Sequence, residues 1–195
     1  MRADTDRLLS TVESVLKAGE LGQRNRVDQR ARIELFPLVA DCIATVRARH
    51  HLAPEAIQLA EISGGVRLHV MGNLEDLRTA VLNLLDNAVK YSPSGVHIQC
   101  RLSMERYTFV VLSITDTGLG IPTPELKRIF KRFYRAPTND RVKIKGTGLG
   151  LFLVRTIARQ HGGDVSATSE GPGKGSTTFL KLPLAIGNTM SGIEG

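Results

Sequence analysis

Residues 109–120 read FVVLSITDTGLG, an apolar run that ends in an aspartate and a glycine turn. The apolar run predicts a buried strand, with the turn at its carboxyl end. Two glycines separated by one residue allow a tight turn and leave room for a flat ligand to approach the backbone. The Asp116 carboxylate can accept a hydrogen bond from an exocyclic amine. Because Asp-x-Gly turns are common, this stretch alone also fits a plain turn.

Composition limits the class of protein. The chain has 195 residues, of which 42% are hydrophobic, enough for one domain with a core and an appendage. No apolar run approaches the roughly 20 residues of a membrane span, and the sequence shows no signal-peptide pattern. Cys42 and Cys100 lack metal-like spacing, and we expect buried, reduced thiols in a cytoplasmic protein. The intact protein can still be membrane-anchored through other segments.

The positive charge is concentrated in one segment. Residues 127–145 contain eight basic residues and one acidic residue, Asp140, so this segment accounts for the whole net charge of +7. Such a patch suits nucleic acid. However, neither an aromatic-interleaved sheet nor a recognition helix accompanies it, which makes nucleic acid the weaker reading. A polyanionic small ligand, such as a nucleoside triphosphate, explains the patch equally well.

Hydrophobic periodicity predicts alternating helices and strands. The predicted helices are residues 1–24, a helix opened by Pro37, the segment from Asn73 to Tyr91, a short helix over residues 121–133, and a helix opened at Gly150. The predicted strands are residues 33–35, 57–59, 66–70, 96–102, 109–115, 164–169 and 177–182. Residues 1–24 fit either a helix packed on its own domain or half of a helical hairpin.

The segment from Asn73 to Tyr91 carries an unusual polar row. Asn83 and Asn87 are four residues apart and therefore share a helix face, which Lys90 and Tyr91 continue. Asparagine is a mediocre helix former, so two of them in mid-helix need a reason. A solvated polar face normally uses Glu, Lys or Gln. The functional alternative is a row that serves a metal ion, phosphates and a flat base.

A second glycine turn, residues 146–150 (GTGLG), opens the last predicted helix. Free N–H groups and the positive end of a helix dipole make such a turn suitable for a phosphate. It matches neither the Rossmann nor the P-loop pattern. The following HGG sequence predicts that His161 ends the helix and is not catalytic. His50, His51 and His69 do not cluster with other ligand types, which argues against a metal site.

Five blocks in order resemble a known family. They are LNLLDNAVKYSP (residues 82–93), DTGLGIP (116–122), IFKRFYR (129–135), GTGLGL (146–151) and GPGKGST (171–177). Together they resemble the ATP-binding catalytic domain of two-component sensor histidine kinases, of the GHKL superfamily. The resemblance implies an α+β two-layer sandwich with a mixed sheet of about five strands and three helices on one face, preceded by an N-terminal helix. It implies a catalytic domain at residues 33–184, a linker at 25–32 and a disordered tail at 185–195.

The resemblance also implies roles for residues. Asn83 would bind Mg²⁺ and Arg135 would stabilise charge at the γ-phosphate; these two are the catalytic candidates. Asp116 would accept a hydrogen bond from the adenine amino group, and Thr177 would support it. The further positions assigned to the nucleotide are Asn87, Lys90, Tyr91, Gly118, Gly120, Ile121, Gly146, Thr147, Gly148, Leu149 and Gly150. Thr79 departs from the family, because relatives often carry an acidic or amide side chain there.

The implied reaction is phosphoryl transfer from ATP to a histidine. The family's acceptor block, a histidine followed by an acidic residue, is absent from this sequence, and residues 1–24 resemble only the second helix of the acceptor hairpin. The expected partners are ATP, a separate acceptor hairpin, the receiver domain of a response regulator, and a second copy of the chain through its N-terminal helix. The alternative is an ATP-sensing interaction module without kinase turnover.

Overall fold

The structure is a computed structural model that describes residues 30–60, 66–136, 144 and 146–185. Within these ranges the α-helices are α1 (Leu35–His50), α2 (Leu74–Lys90) and α3 (Gly150–Gln160). The strands are β1 (Ala31–Glu34), β2 (Ile57–Ala60), β3 (His69–Gly72), β4 (Ile98–Glu105), β5 (Phe109–Asp116), β6 (Asp164–Thr168) and β7 (Ser176–Pro183). The predictions for residues 1–24 and for the tail after Ala185 lie outside the described residues.

Five strands form one mixed sheet in the order β2-β4-β5-β7-β6. The pair β2–β4 is parallel, and the other pairs are antiparallel. Buried residues alternate with more exposed ones along β4 and β5, so one face is covered. The three helices pack against that face, which confirms the predicted α+β two-layer sandwich. Strands β1 and β3 form a separate antiparallel pair.

Helix α2 begins at the predicted cap. The Asn73 side-chain oxygen accepts hydrogen bonds from the N–H groups of Glu75 and Asp76, at 3.0 and 3.1 Å. A cap of this kind contributes about 1 kcal/mol to stability. Glu75 and Asp76 also place negative charge at the positive end of the helix dipole. The helix therefore starts at a residue that local sequence alone defines.

His161 links α2 to α3. It caps α3, as predicted, and its ring is buried. Its Nδ1 donates to the Ile157 carbonyl at 2.8 Å, and its Nε2 accepts from the Asn73 N–H at 3.1 Å. Burial lowers the pKa of His161 below its ordinary value. Since this contact joins the end of α3 to the start of α2, the beginning of α3 lies beside the middle of α2.

Several boundaries differ from the sequence predictions, and three differ most. The short helix predicted over residues 121–133 is wrong: only a three-residue 3₁₀-helix, Thr123–Glu125, forms there. Phe133, at the end of the predicted helix, has a φ of 59°, which lies outside the right-handed helical region. The strand predicted at residues 66–70 begins only at His69, and the first strand begins at Ala31, inside the predicted linker.

The cysteines behave as predicted in the part of the chain that the structure describes. Cys42 and Cys100 are both buried and form no disulfide. Burial raises the pKa of the Cys42 thiol to about 11 and that of Cys100 to about 12. Both side chains therefore act as small apolar groups of the core. Across the described ranges, no helix is both long and apolar enough to cross a membrane.

Candidate functional site

The two asparagines of α2 face the first residue of α3. The Asn83 Nδ2 donates to the Thr79 carbonyl at 2.8 Å, which fixes the orientation of the amide. A Cβ placed on Gly150 would lie 2.8 Å from the Asn83 Oδ1 and 3.7 Å from the Asn87 Nδ2. The structure therefore brings Gly150 against Asn83 and Asn87, from which it is distant in sequence.

The glycine turn at residues 146–150 is shaped by close packing. Gly148 has a φ of +73°, and a Cβ there would lie 2.7 Å from the carbonyl carbon of Phe133. The Leu149 side chain is buried, so only its backbone can meet a ligand. A Cβ on Gly146 would meet nothing within 4 Å, so that residue borders open space. The first N–H groups of α3 have no partner within their own helix, which makes this end suitable for an anion.

Asp116 is buried at the end of β5 and is only 6% exposed. Its Oδ1 accepts from the Gly118 N–H at 2.9 Å, and its Oδ2 accepts from the Ser176 hydroxyl at 2.6 Å. These two bonds hold the carboxylate in one orientation. Each carboxylate oxygen has a second lone pair, so Asp116 retains capacity to accept a proton donor from a ligand.

The hydroxyl beside Asp116 belongs to Ser176, the residue before the predicted Thr177. Asp116 and Ser176 are paired across β5 and β7, and Thr115 is paired with Thr177. Thr177 accordingly contacts the Thr115 hydroxyl, at 3.0 Å. Because adjacent residues of a strand point to opposite faces, Thr177 lies on the other side of the sheet from Asp116. The sequence prediction assigned this support to the wrong residue.

Gly118 and Gly120 are glycines because protein backbone approaches them closely. A Cβ on Gly118 would lie 2.1 Å from the Tyr91 carbonyl oxygen, and a Cβ on Gly120 would lie 2.0 Å from that of Gly171. The Leu119 N–H also donates to the Tyr91 carbonyl, at 2.9 Å. The loop that leaves β5 is therefore held against the end of α2. This differs from the sequence argument, which reserved the space for a ligand.

Lys90 and Tyr91 end the polar row of α2. Lys90 is the last residue of the helix and is exposed, and Tyr91 caps it and is half-buried. Ile121, also half-buried, directly follows the first glycine turn. These three residues therefore lie near the contact between α2 and the β5 loop.

The aromatic and basic block packs against the second glycine turn. Phe133 has a φ of 59° and is 56% exposed, so it is neither helical nor buried. The Arg132 guanidinium lies over its ring, 4.9 Å from the centroid. Arg135 donates a hydrogen bond to the Ile144 carbonyl. Arg135 directly follows Phe133 and Tyr134 in the chain, and the backbone of these two residues packs against Gly148.

The buried Glu125 side chain contacts two side chains of this segment, Tyr134 and Arg128. It is 8% exposed, accepts a hydrogen bond from the Tyr134 hydroxyl and forms an ion pair with Arg128 at 3.1 Å. Arg128 also lies over the Tyr134 ring, 4.7 Å from its centroid. The hydrogen bond to Glu125 is the main cause of the raised pKa of Tyr134. Sequence periodicity gives no sign of this three-residue cluster.

Comparison with known families identifies the domain. Residues 72–186 match the model for histidine kinase-, DNA gyrase B-, and HSP90-like ATPases. The chain belongs to this ATPase family. The match covers α2, both glycine turns and β7, so the elements described above are those of an ATPase domain.

Relatives narrow the family to sensor histidine kinases. The chain is similar to the sensor-like histidine kinase SenX3 of Mycolicibacterium smegmatis, with 30% identity over 94% of this chain, and to the sensor histidine kinase WalK of Bacillus subtilis, with 28% identity over 92%. The chain spans 46% of SenX3 and 29% of WalK. The predicted resemblance to the ATP-binding domain of sensor histidine kinases is confirmed.

Solved structures agree with this assignment. The mycobacterial sensor histidine kinase MprB is 30% identical, with a TM-score of 0.66 over 80% of this chain and 97% of that chain. Full-length ShkA in complex with AMPPNP is 27% identical, with a TM-score of 0.77 over 95% of this chain and 38% of that chain. The two-layer architecture is therefore that of histidine kinase catalytic domains.

Proposed function

We propose that this ATPase domain binds Mg-ATP and transfers the γ-phosphate to a histidine on a separate acceptor domain. The observation that carries the proposal is the convergence of the Asn83 and Asn87 amides on Gly150 at the start of α3. The Asn83 amide oxygen and the Asn87 amide nitrogen beside a helix N-terminus suit a metal–phosphate group, the oxygen as a metal ligand and the nitrogen as a hydrogen-bond donor. The family match and the sensor kinase relatives support the same reading.

The residues along helix α2 determine which end of the site would bind the base and which would bind the phosphates. Its Tyr91 end contacts the loop after Asp116, and its middle, at Asn83, contacts α3. Eight residues of α-helix separate Tyr91 from Asn83, a distance of about 12 Å along the helix axis. An elongated ligand with a flat base at one end and phosphates at the other fits this arrangement. The base lies at Asp116, and the phosphates lie at Gly150.

Asp116 is the proposed determinant of the base. Its carboxylate is held by Gly118 and Ser176 and can accept the amino hydrogen of adenine. Guanine presents a carbonyl oxygen at the corresponding position, which cannot donate to a carboxylate. A buried acceptor that fails to find a donor costs free energy, so the site should discriminate between the two bases.

The residues present fit Mg²⁺. Among the described residues, no group of three or more His, Cys, Asp or Glu side chains is placed to hold a metal ion. Mg²⁺ is commonly bound by few protein oxygens together with substrate phosphates and water. The Asn83 amide, oriented by Thr79, supplies one such oxygen. When bound, the ion would neutralise phosphate charge, and Asn87 would contact the ion or a phosphate.

The chain's own residues position the phosphates. Backbone N–H groups at Gly146, Gly148 and Gly150 would donate to phosphate oxygens, with Thr147 beside them, and Lys90 and Arg135 would supply positive charge. A histidine nitrogen of the acceptor attacks the γ-phosphorus, and the bond to the bridging oxygen of the β-phosphate breaks, which releases ADP. Arg135 would exchange its bond to the Ile144 carbonyl for the phosphate.

The sensor histidine kinase relatives support the proposed partners. The domain would act on a histidine-bearing helical hairpin, and the phosphate would pass to the receiver domain of a response regulator. We assign residues 31–184 to the catalytic domain, because β1 begins at Ala31. The reduced, buried cysteines support a cytoplasmic location for this portion.

The test is a transfer assay with two proteins. The chain is mixed with a separately prepared acceptor hairpin and γ-labelled ATP, with and without Mg²⁺, and acid-labile label on the hairpin is measured. We expect label on the hairpin only when Mg²⁺ is present. Tight ATP binding without label at any protein ratio would instead favour an ATP-sensing module.

A further inference from the structure

Ser169 occupies the junction of the two loops that form the proposed adenine site. It follows β6 and opens the turn that leads to β7. Its hydroxyl accepts from the N–H groups of Ile121 and Gly171, at 3.0 and 3.2 Å, and donates to the Gly175 carbonyl at 2.6 Å. A hydroxyl has one proton to donate and two lone pairs, so this arrangement uses its full capacity.

The bonds of Ser169 join segments that are distant in sequence. Ile121 ends the loop that leaves β5 at Asp116, whereas Gly175 directly precedes Ser176, which donates to the Asp116 carboxylate. Ser169 therefore bonds to the loop three residues after Gly118 and to the residue directly before Ser176, and Gly118 and Ser176 are the two groups that hold Asp116. It makes no direct contact with the carboxylate.

The two segments are packed at backbone distance. The Gly173 N–H donates to the Leu119 carbonyl at 2.6 Å, and the Gly175 N–H donates to the Gly118 carbonyl at 3.1 Å. A Cβ placed on Gly120 would lie 2.0 Å from the Gly171 oxygen and 3.2 Å from the Ser169 Oγ. Because this packing is so close, a small side chain with a hydroxyl suits position 169.

We propose that Ser169 is a positioning residue that determines how strongly the site prefers adenine. The inference rests on the proposed Mg-ATP site. Without the hydroxyl, Ile121 and Gly171 lose an acceptor and Gly175 loses a donor, so the loop after β5 can shift relative to the turn before β7. Asp116 would then no longer be held at a fixed distance from the base.

A contribution of Ser169 to base specificity can be distinguished from a contribution to the stability of the fold. If Ser169 served stability alone, its removal would lower the melting temperature and leave the ratio of ATP to GTP affinity unchanged. If it positions Asp116, its removal selectively weakens the nucleotide whose base donates to Asp116. The adenine amino group donates to Asp116, whereas guanine has no donor at that position. The ratio of ATP to GTP affinity therefore depends on the position of Asp116 rather than on the stability of the fold.

The experiment compares Ser169→Ala and Ser169→Thr with the parent chain. Affinities for Mg-ATP and Mg-GTP are measured by calorimetry, together with thermal unfolding. We expect Ser169→Ala to lower ATP affinity about tenfold, which corresponds to the loss of roughly one well-formed hydrogen bond. GTP affinity should change little, and Ser169→Thr, which retains the hydroxyl, should restore the preference. Ser166→Ala, an exposed serine on β6, is the matched control.

The outcomes of these measurements either support or refute the proposed role of Ser169. A folded Ser169→Ala variant with the parent's ratio of ATP to GTP affinity overturns it, even if the melting temperature falls. A parent chain that shows no preference for ATP overturns the adenine site itself, and with it this inference. If Ser169→Ala does not fold, Ser169→Cys takes its place, because it keeps the side-chain size with a weaker donor. A parent-like ratio in Ser169→Cys would then refute the role.

Discussion

Replacing Gly150 by alanine separates the binding of Mg²⁺ from the stability of the fold. The new Cβ would lie 2.8 Å from the Asn83 Oδ1. Non-bonded heavy atoms are best separated by roughly 3.5 Å, so this oxygen has to move by about 0.7 Å. The Asn83 side chain can rotate away, and the bond from its Nδ2 to the Thr79 carbonyl is then lost.

The expected change in stability is small. Alanine is more favourable than glycine by about 1 kcal/mol in a helix interior and by less at the first residue of a helix such as Gly150, and a lost hydrogen bond costs about 1 kcal/mol. These contributions oppose one another, so the free energy of unfolding should change by less than about 1 kcal/mol. The proposed metal ligand, by contrast, is displaced. A displacement of about 1 Å can lower activity roughly 100-fold when it moves a group that must be aligned.

Calorimetry gives the decisive measurement. ATP is titrated into the parent and into Gly150→Ala, once with Mg²⁺ and once with EDTA, and thermal unfolding is recorded for both proteins. We expect the Mg²⁺-dependent part of the affinity to fall about 10- to 100-fold in the variant. Thr156→Ala, which removes a side chain bonded only within α3, is the control. A folded Gly150→Ala variant with undiminished Mg²⁺ dependence would refute the assignment of Asn83.

Two further predictions concern the base and the pH. Asp116→Asn should weaken ATP binding and strengthen GTP binding, because the amide can turn its N–H towards the base, where it opposes the adenine amino group and can donate to the guanine carbonyl oxygen; competition between the nucleotides measures this, and an unaltered ratio contradicts it. Since burial lowers the pKa of His161, the folded chain binds this proton less readily than the unfolded chain does. The free energy of unfolding should therefore be fully retained above about pH 6.5 and decrease as the pH falls below it. Urea unfolding at several pH values measures the slope, which should be smaller in His161→Gln; an equal slope would exclude His161 as its source.

Local signals in the sequence were sufficient to predict the two helices whose residues form the proposed site. The Asn73 cap and the Asn83–Asn87 spacing defined α2 and its polar face, and GTGLG defined the start of α3. These features depend on residues within a few positions of one another, where capping and periodicity act. Thus the sequence correctly predicted which asparagines share a face, although their contact with Gly150 needed the fold.

Features that depend on strand register or on long-range packing were predicted less well. The family resemblance assigned the support of Asp116 to Thr177, and only the pairing of β5 with β7 identifies Ser176. Ser169 carries no local signal, since its partners are Ile121 and the turn before β7. The helix predicted over residues 121–133 does not form, and the left-handed φ of Phe133 and the hydrogen bond from Tyr134 to Glu125 are features that apolar periodicity does not predict.

The bond between Asp116 and Ser176 joins residues 60 positions apart in the chain. Contacts of such long sequence separation form slowly, because the entropy of closing the intervening loop must be lost first. Helix α2 requires no such closure, and its cap can form as soon as its own residues are available. During synthesis, the asparagine row can therefore be structured while the ribosome is still translating the rest of the domain. The base pocket is completed only after β7 has emerged, so a nascent chain gains its nucleotide preference last.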